Sequence, residues 1–406
     1  MTDTSTDLYL KKTILFEIDK NKFSFDVAQD LFSSNVIDFG TQRLLRTLLT
    51  SNIGNFDKIL DLGCGYGPIG IILKKLNPES VVHMIDIDAL ALDYSNHNAK
   101  LNGVEDIKIY GSLGYENVKS KDFDLIVSNI PAKVGKQALS HMILDARFHL
   151  KSDGLVAVVV IDAIVDYVRD ILKSNEHVKI IFEKSWPGHT VLHYRFIGNF
   201  SNLSDNQLSG VEVYDRTQND LIINKHTASV VTTYNLPEFD TLNFETQLLL
   251  DNLLHTLQFH PLDVAVFNPG QGYIPVAISK ITVLNKLILI DRNLQALEIS
   301  KRNLLLNNFS LDKISLFHQT GIKLTENDKV DCLIGVVPEK QNDMVYRTIA
   351  NQLYLDLHPT AISLLVSSSS VISRIEKYIH EANNLTVVLS KKSKGKRVIT
   401  LKIKNK

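Results

Sequence analysis

The sequence is poor in cysteine and tryptophan, with two Cys and one Trp in 406 residues. Cys64 and Cys332 lie far apart, so no disulfide framework is predicted and a reducing compartment fits. Long hydrophobic runs are also lacking, because the most apolar stretch, residues 155–165, is interrupted by Asp162 and is too short to span a bilayer. The first residues lack the basic-then-apolar pattern of a signal peptide. We therefore expect a cytoplasmic protein without a membrane partner.

Neither sign of charge is in excess, since 44 Lys and Arg face 45 Asp and Glu, for a net charge of −1. Contacts with nucleic acid would therefore need a local cluster of cations rather than a generally basic surface. Apolar residues make up 44% and charged residues 22% of the chain, as in ordinary globular proteins. At about 150 residues per domain, the length predicts two or three domains.

Four segments of the chain recur in the same order, at an offset of 205 or 207 residues. The pairs are 39–45 (FGTQRLL) with 244–250 (FETQLLL), 61–71 (DLGCGYGPIGI) with 268–278 (NPGQGYIPVAI), 84–103 with 289–308, and 123–133 (FDLIVSNIPAK) with 330–340 (VDCLIGVVPEK). Four ordered matches indicate two copies of one domain. The polar stretch 199–210 has the composition of a linker, so we predict domains at 1–199 and 211–406.

Short apolar runs alternate with amphipathic segments in the first copy. The predicted strands are 58–62, 81–86, 107–110, 123–128 and 155–161, the predicted helices are 69–76, 89–102, 136–150 and 164–173, and a closing strand pair flanks residues 186–189. This alternation predicts an α/β fold with a doubly wound, mostly parallel Rossmann-like sheet. Such sheets bind ligands where the strands end, and Asp61, Asp86, Ser112 and Asn129 all stand at predicted strand ends.

The glycine cluster after the first parallel strand predicts a ligand-binding turn. Gly63, Gly65 and Gly67 allow a tight turn and a close approach of a ligand to the backbone. Asp61 would repel a pyrophosphate but suits a ligand with a positive charge, and Asp86 is placed to accept hydrogen bonds from ribose hydroxyls. Asp61, the helix-like segment before the first strand and the later Asn-x-Pro turn favour S-adenosylmethionine. The alternative is a nicotinamide dinucleotide, because Gly65 to Gly70 also fits G-x-G-x-x-G.

These motifs resemble the class I S-adenosylmethionine-dependent methyltransferases, and most closely the methyltransferase small domain family. That family includes bacterial ribosomal RNA guanine-N2 methyltransferases with tandem domains, one active and one degenerate. The carrying residues are 31–45, 59–70, 84–92 and 123–133. The resemblance implies that Thr41 and Gln42 lie near the methionine end of the cofactor. It assigns the amino acid part to Asp61 and the Gly63, Gly65 and Gly67 turn, the ribose to Asp86, and the adenine to Ile87 and Ser112.

The same resemblance implies that Asn129 is the catalytic residue. Its side-chain oxygen and a nearby backbone carbonyl would accept the two hydrogens of an exocyclic amine and orient the nitrogen, while Pro131 stiffens the turn. Holding the acceptor in place could contribute about 7–11 kcal/mol. The family motif is Asn-Pro-Pro-aromatic, whereas this chain has Ala132 in place of the ring. Stacking on a base is worth about 1–3 kcal/mol. Lys133 either contacts substrate or is a solvated residue.

The second copy is predicted to be degenerate. In the sequence alignment Asn268 replaces Asp61, Ile274 replaces Gly67, Glu245 replaces Gly40 and Val336 replaces Asn129. Val336 cannot accept a hydrogen bond from an amine, although Asp291 persists and leaves residual cofactor binding open. The recurrent asparagines Asn98 and Asn102 are interpreted as helix-surface residues.

The basic C-terminal segment, residues 390–406, either contacts RNA backbone or forms an edge strand protected by lysines. His189 and His193 lack a third ligand, so no metal site is predicted. The expected function is methylation of an exocyclic amine of a ribosomal RNA base with S-adenosylmethionine as cofactor. Two alternatives remain: methylation of a protein or small molecule, and a non-catalytic cofactor- or RNA-binding scaffold. No oligomeric state is predicted.

Overall fold

A computed structural model describes residues 5–50, 56–198, 210–223, 225–257 and 261–404. The contacts divide the chain into two units, Met1–Tyr214 and Asp215–Lys406. The linker predicted at 199–210 lies outside the described residues except for Gly210, and that boundary stays a prediction. A search of the described helices finds none with the length and apolarity needed to cross a bilayer.

The first unit consists of an N-terminal hairpin followed by alternating strands and helices. The helices are α1 (Ser5–Tyr9), α2 (Phe39–Thr50), α3 (Pro68–Leu76), α4 (Ala89–Leu101), α5 (Lys136–Leu144) and α6 (Asp162–Ser174). The strands are β1 (Leu10–Ile18), β2 (Asn21–Ala28), β3 (Lys58–Leu62), β4 (Val81–Asp86), β5 (Ile107–Gly111), β6 (Phe123–Asn129), β7 (Leu150–Ile161), β8 (Val178–Trp186) and β9 (His189–Phe196).

Seven of these strands form one sheet in the order β5-β4-β3-β6-β7-β9-β8. The strands β3 to β7 are parallel, and β9 runs antiparallel to both β7 and β8. Side chains alternate across β7, so Leu155, Ala157 and Val159 join a core with α2, α3, α4 and the hairpin. The helix α6 packs against β7, β8 and β9. The sheet order changes direction beside β3, which places the ends of β3, β4 and β6 around one crevice.

Local sequence explains how the helices that flank this crevice begin. Gly67 adopts a left-handed conformation (φ 97°) before α3, and Pro68 is the first helical residue, where its missing N–H costs nothing. The Asp88 side chain accepts a hydrogen bond from Leu90 N and caps α4. Both helices therefore start directly beyond the ends of β3 and β4.

Two parts of the first unit differ from the sequence prediction. The helix predicted over 136–150 ends at Leu144, a 3₁₀ turn (Asp145–Phe148) follows it, and β7 already begins at Leu150. The β1–β2 hairpin was not predicted. Its signal was the alternation in β2, where Phe23, Phe25 and Val27 are buried and the residues between them are not.

The second unit repeats this architecture. Its helices are α7 (Phe244–Thr256), α8 (Tyr273–Ile281), α9 (Leu294–Leu306), α10 (Asp343–Leu355) and α11 (Ser369–Ala382). Its strands are β10 (Asp215–Ile223), β11 (His226–Thr233), β12 (Asp263–Phe267), β13 (Lys286–Asp291), β14 (Ile314–His318), β15 (Val330–Val336), β16 (Leu357–Ser368), β17 (Leu385–Ser393) and β18 (Lys396–Ile403). The sheet order β14-β13-β12-β15-β16-β18-β17 matches that of the first unit, which confirms the prediction of tandem doubly wound domains.

Candidate active site at the carboxyl rim of the first sheet

The glycine turn follows β3 directly and has the geometry of a ligand cradle. Gly63, Gly65 and Gly67 all have positive φ angles, of 79°, 57° and 97°. A side chain added at Gly63 or Gly65 would meet no atom within 4 Å, so the backbone there borders open space. At Gly67 a side chain would instead collide with Ile71 and Met84, 2.6 and 2.9 Å away. The first two glycines thus leave room for a ligand, and the third lets α3 pack closely on the sheet.

Asp61 lies fully buried beneath this turn. Its Oδ2 accepts a hydrogen bond from Gly70 N at 2.8 Å, whereas Oδ1 is buried without a hydrogen-bond partner among the described residues. Loss of hydration raises the pKa of Asp61 to about 7, and repulsion from Asp86 adds to the shift, while the bond from Gly70 opposes it. A cationic group of a bound ligand would satisfy Oδ1 and stabilise the carboxylate.

Asp86 is the last residue of β4, and its side chain joins the glycine turn to the end of this strand by a hydrogen bond. Its Oδ2 accepts from Gly65 N at 2.8 Å and its Oδ1 from Asp88 N at 2.9 Å. Burial raises the pKa of Asp86 to about 6, although both backbone donors counteract this effect. The carboxylate is therefore fixed in orientation beside the glycine turn. Each of its oxygens can accept a further hydrogen bond, which is what the two hydroxyls of a ribose require.

The other residues assigned to the cofactor lie after strands β4 and β5 and at the start of α2. Ile87 follows Asp86 and is partly exposed. Ser112 is only 2% exposed, and its hydroxyl donates to Gly114 O and accepts from Asn117 N, so it is already used inside its own loop. Thr41 is buried and the Gln42 side chain donates to Ile37 O. These two residues lie in the first turn of α2.

Asn129 is the last residue of β6, the strand next to β3. The preceding residue, Ser128, donates to Leu62 O at 2.7 Å, and this bond ties the ends of β6 and β3 together. The amide nitrogen of Asn129 donates to Asp38 Oδ2 at 2.9 Å and to Thr41 Oγ1 at 3.1 Å. Pro131 is exposed in the turn that follows. Asn129 therefore lies between the glycine turn and the start of α2.

Asp38 was not predicted to be a site residue, and His189 was not predicted to lie at this rim. Asp38 stands directly before α2, where an Asp is a typical helix N-cap, and that was the available signal. His189 Nε2 lies 3.8 Å from Asp38 Oδ1. His193, its predicted companion, is instead buried beside Thr47 Oγ1 at 3.0 Å, and burial lowers its pKa to about 4. Among the described residues no group of three or more His, Cys, Asp or Glu side chains could hold a metal ion.

The second unit corrects the alignment of the glycine turns. Gly63 N and Asn268 N donate to equivalent carbonyls, Ile85 O and Ile290 O, so Asn268 corresponds to Gly63. Its φ of 51° fits that position. The counterpart of Asp61 is then Val266, which is buried in β12.

The same register pairs the glycines before the helices. Gly272 starts α8 as Gly67 starts α3, with φ 91° and 97°. The predicted replacements of Asp61 by Asn268 and of Gly67 by Ile274 were therefore wrong, because both matches were displaced by two residues. Ile274 lies inside α8 and does not block the turn. The loss of the buried carboxylate is more complete than predicted.

Side chains of the second unit fill the rim that is open in the first. Asn268 Nδ2 donates to Val336 O at 2.8 Å, and Lys396 bonds to Glu245 and, at 2.7 Å, to Glu339. The Phe267 ring lies so close to Gly335 that a side chain there would come within 2.2 Å of it. Val336 and Glu245 stand at the positions of Asn129 and Gly40, as predicted.

The recurrent asparagines are not helix-surface residues, so that interpretation was wrong. Asn98 is fully buried, accepts from Asp26 N, and donates to Asp26 O and Tyr66 O. It thus connects β2 and the glycine turn to α4. Asn303 makes the same three bonds in the second unit, to Val231 N, Val231 O and Gln271 O. Asn102 and Asn307 bond to the backbone of Ser24 and Ser229.

The basic C-terminal segment forms most of the β17–β18 hairpin, and β17 is an edge strand. Two of its cations are paired: Arg397 with Glu376, and Lys396 as described above. Lys391 and Lys392 are exposed on the edge strand. Both predicted roles, contact with RNA backbone and protection of the edge, stay open. Lys133 and Lys340 are exposed at equivalent positions, and the role of Lys133 stays open as well.

A seven-stranded sheet in this order, with a glycine turn after β3 and acids at the ends of β3 and β4, defines the class I S-adenosylmethionine-dependent methyltransferases. The profile of the methyltransferase small domain family matches residues 22–192 and 230–357. The chain therefore belongs to the methyltransferase small domain family, and the resemblance noted in the sequence is confirmed.

Individual relatives match parts of the chain. An uncharacterized Bacillus subtilis protein, YbxB, is 34% identical over 151 residues, which are 37% of this chain and 74% of that protein. The ribosomal RNA small subunit methyltransferase C of Pasteurella multocida is 40% identical over 133 residues, 32% of this chain and 39% of that protein. The chain thus spans well under half the length of that relative. A solved structure of the T. thermophilus 16S rRNA N2 G1207 methyltransferase, in complex with AdoMet and guanosine, aligns with a TM-score of 0.67. It is 14% identical and covers 99% of this chain and 100% of its own, so the likeness shows the fold.

Proposed function

We propose that the first unit binds S-adenosylmethionine and methylates an exocyclic amine of a ribosomal RNA base. The observation that carries this proposal is the buried Asp61 oxygen, beneath an open glycine turn, for which the described residues supply no partner. A ligand with a positive charge and no phosphate matches that arrangement, whereas a dinucleotide would bring its pyrophosphate against a carboxylate. The names of the ribosomal RNA methyltransferase relatives support RNA as the acceptor.

Some residues of the rim would bind the cofactor and others would position the acceptor. Asp61 and the Gly63, Gly65 and Gly67 turn would hold the amino acid part of the cofactor, with Thr41 and Gln42 at its methionine end. Asp86 would hold the ribose, and Ile87 and Ser112 would border the adenine. Bound S-adenosylmethionine supplies an electrophilic methyl group on a positively charged sulfur.

Asn129 would position the acceptor. With both amide hydrogens directed to Asp38 and Thr41, its Oδ1 is left as the atom that can accept a hydrogen from the substrate amine. Pro131 would restrict the turn behind it. Phe39 would supply the aromatic surface that Ala132 lacks, because its ring is 63% exposed directly after Asp38. We assign no catalytic role to the second unit, which lacks counterparts of Asp61 and Asn129.

Two measurements test this function. Calorimetry with S-adenosylmethionine should give one site per chain, with an affinity that falls about 100-fold in Asp61→Asn and is unchanged in Asp291→Asn, which alters the second-unit counterpart of Asp86. Two sites would mean that the second unit also binds cofactor, and no binding would leave only a scaffold. Mass spectrometry of ribosomal RNA nucleosides should reveal one methylated base that disappears when the gene is deleted and returns with the intact gene. An unchanged RNA with a labelled protein or small molecule would overturn RNA as the acceptor.

A further inference from the structure

The orientation of the Asn129 amide is decided by its neighbours. A carboxylate has no hydrogen to donate, so the group facing Asp38 Oδ2 at 2.9 Å must be the amide nitrogen. The second hydrogen of that nitrogen reaches Thr41 Oγ1 at 3.1 Å. Rotation of the amide by 180° would place oxygen against oxygen at Asp38 and would present hydrogens, instead of an acceptor, to a substrate amine. Asp38 therefore selects the useful orientation of Asn129.

Asp38 is itself fixed by the backbone of α2. Its Oδ2 accepts from Thr41 N at 3.1 Å, the bond of a helix N-cap. A side chain at Gly40 would come within 2.7 Å of both Asp38 Oδ2 and the His189 ring, so the absence of a side chain at Gly40 permits this close packing. The start of α2 thus holds the carboxylate against the end of β6.

A histidine of the closing hairpin lies beside the same carboxylate. Arg43 Nη1 lies 3.3 Å from His189 Nδ1, and because a guanidinium only donates, Nδ1 is the acceptor. The hydrogen of the neutral ring is then on Nε2, which faces Asp38 Oδ1 at 3.8 Å. Each Asp38 oxygen therefore has a hydrogen-bearing group on its side, and Oδ2 is directed to Asn129.

The second unit lost this whole arrangement together. Asn243 stands at the position of Asp38 and its side chain makes no cap hydrogen bond. Val336, Lys396 and Leu248 replace Asn129, His189 and Arg43, whereas Thr246 retains the threonine. The bonds that hold the fold, such as those of Asn303, were kept. An aspartate needed only to begin the helix would not have to change when Asn129 does.

From these contacts we infer that Asp38 is a positioning residue for methyl transfer, which holds the Asn129 amide with its oxygen available to the acceptor amine. The inference rests on the proposed function, in which Asn129 orients that amine. Asp38 acts through Asn129 and touches neither reacting atom. His189 lies beside Asp38, with Nε2 3.8 Å from Oδ1, and Arg43 contacts that histidine.

The test is a double-mutant cycle between Asp38→Ser and Asn129→Ala, read as single-turnover rate constants with the full chain, S-adenosylmethionine and RNA. Serine is as good an N-cap as aspartate but is too short to reach Asn129. Asp38→Ser should lower the rate constant about 10- to 100-fold, as expected when a preorganised hydrogen-bonding group is no longer held in place. It should leave the cofactor Kd and the thermal midpoint nearly unchanged. In the Asn129→Ala background it should have no further effect.

Controls separate this inference from the proposed function. Asn243→Ser, the matched change in the second unit, should leave the rate constant as it is. Asp38→Asn keeps the shape and the cap but offers a weaker, uncharged acceptor, so it should lower the rate constant less than Asp38→Ser does. If Asn129→Ala lowers the rate constant but Asp38→Ser does not, or if Asp38→Ser lowers it equally in both backgrounds, the positioning role is wrong and the proposed function stands. If Asn129→Ala keeps full turnover, both the positioning role of Asp38 and the proposed function of Asn129 are wrong.

Discussion

The two units share one fold but treat the rim of the sheet in opposite ways. In both, a buried asparagine, Asn98 or Asn303, fastens the N-terminal hairpin and the glycine turn to a helix with the same three hydrogen bonds. In both, glycines with positive φ precede the next helix. The duplicated features are therefore those that build the fold, and the presence of a residue in both copies is not by itself a sign of a role in chemistry.

One feature found in the first unit only is a buried polar atom that no other described residue satisfies. The first unit leaves Asp61 Oδ1 buried without a partner among the described residues, at a cost in stability that a bound cation would offset. In the second unit Val266 removes this carboxylate, and Lys396 satisfies the two glutamates at the rim. A rim closed by its own side chains has no need of a ligand. This contrast supports the proposal that the first unit is the site of activity.

Exchange of the residues at the end of β6 and β15 should give the largest effect. Asn129→Ala should lower the rate of methyl transfer about 100- to 1000-fold, as for removal of one preorganised hydrogen-bonding group. Val336→Asn should leave the rate unchanged, because the second unit has no counterpart of Asp61. Initial rates with labelled S-adenosylmethionine check both. A normal rate in Asn129→Ala, or a loss in Val336→Asn, would reverse the assignment of the two units.

Replacement of Asp61 should change binding and stability in opposite directions. Asp61→Asn should weaken binding of S-adenosylmethionine about 100-fold, since a charged hydrogen bond in a buried site is lost. It should raise the thermal midpoint of the ligand-free protein at pH 8, because an unpaired buried charge is removed. Calorimetry and thermal unfolding provide the two values. A variant that loses both stability and binding would show that Asp61 serves the fold.

The two equivalent phenylalanines offer a matched pair for acceptor binding. Phe39 is 63% exposed, whereas Phe244 packs against the core of the second unit and carries Lys394 over its ring at 5.0 Å. If Phe39 stacks on a base, Phe39→Ala should raise the KM for RNA about 5- to 150-fold, equivalent to about 1–3 kcal/mol. The KM for S-adenosylmethionine should not change. Phe244→Ala should leave the RNA KM unaltered, and equal effects of the two changes would argue against stacking.

Loss of the buried asparagine that joins the hairpin and the glycine turn to a helix, Asn98 or Asn303, should destabilise the two units to a similar extent. Asn98→Ala and Asn303→Ala each leave buried backbone groups without partners, and each should lower the free energy of unfolding of its own unit by about 1–3 kcal/mol. Denaturant titration followed by hydrogen exchange would assign each loss to its unit. A change in turnover without a change in stability for Asn98→Ala would give that asparagine a role beyond the fold.

The sequence was sufficient for the strands of the first seven-stranded sheet and for the first glycine turn, because apolar runs and glycines act locally. It failed for the second turn for a physical reason. Gly63, Gly65 and Gly67 repeat every second residue, so a slip by two still places glycine on glycine, and only the hydrogen bonds to Ile85 and Ile290 fix the register. The contact between Asp38 and Asn129 could not be predicted from the sequence either. It joins residues 91 positions apart, and it exists only because Gly40 permits α2 to approach the sheet.

The smallest effect in this series should be a dependence of cofactor binding on pH that the second unit does not share. Burial raises the pKa of Asp61 to about 7 and that of Asp86 to about 6, so both are partly protonated in the ligand-free protein at mildly acid pH. A cationic ligand requires the ionised form of Asp61. The affinity for the cofactor should therefore fall by up to about tenfold, or about 1.4 kcal/mol, for each pH unit below 7. Binding at such a pH should release protons.

The stability of the ligand-free first unit should depend on pH in the opposite direction from the cofactor affinity. Because the folded state holds these protons more tightly than the unfolded state, the stabilisation is fully present below pH 4 and is lost as the pH rises through 6 and 7. Calorimetry in buffers of different ionisation enthalpy gives the proton count, and Asp61→Asn should reduce it to the part contributed by Asp86. Binding that is independent of pH between 5 and 8 would mean that Asp61 is ionised before the ligand arrives, and that an internal cation rather than the cofactor satisfies it.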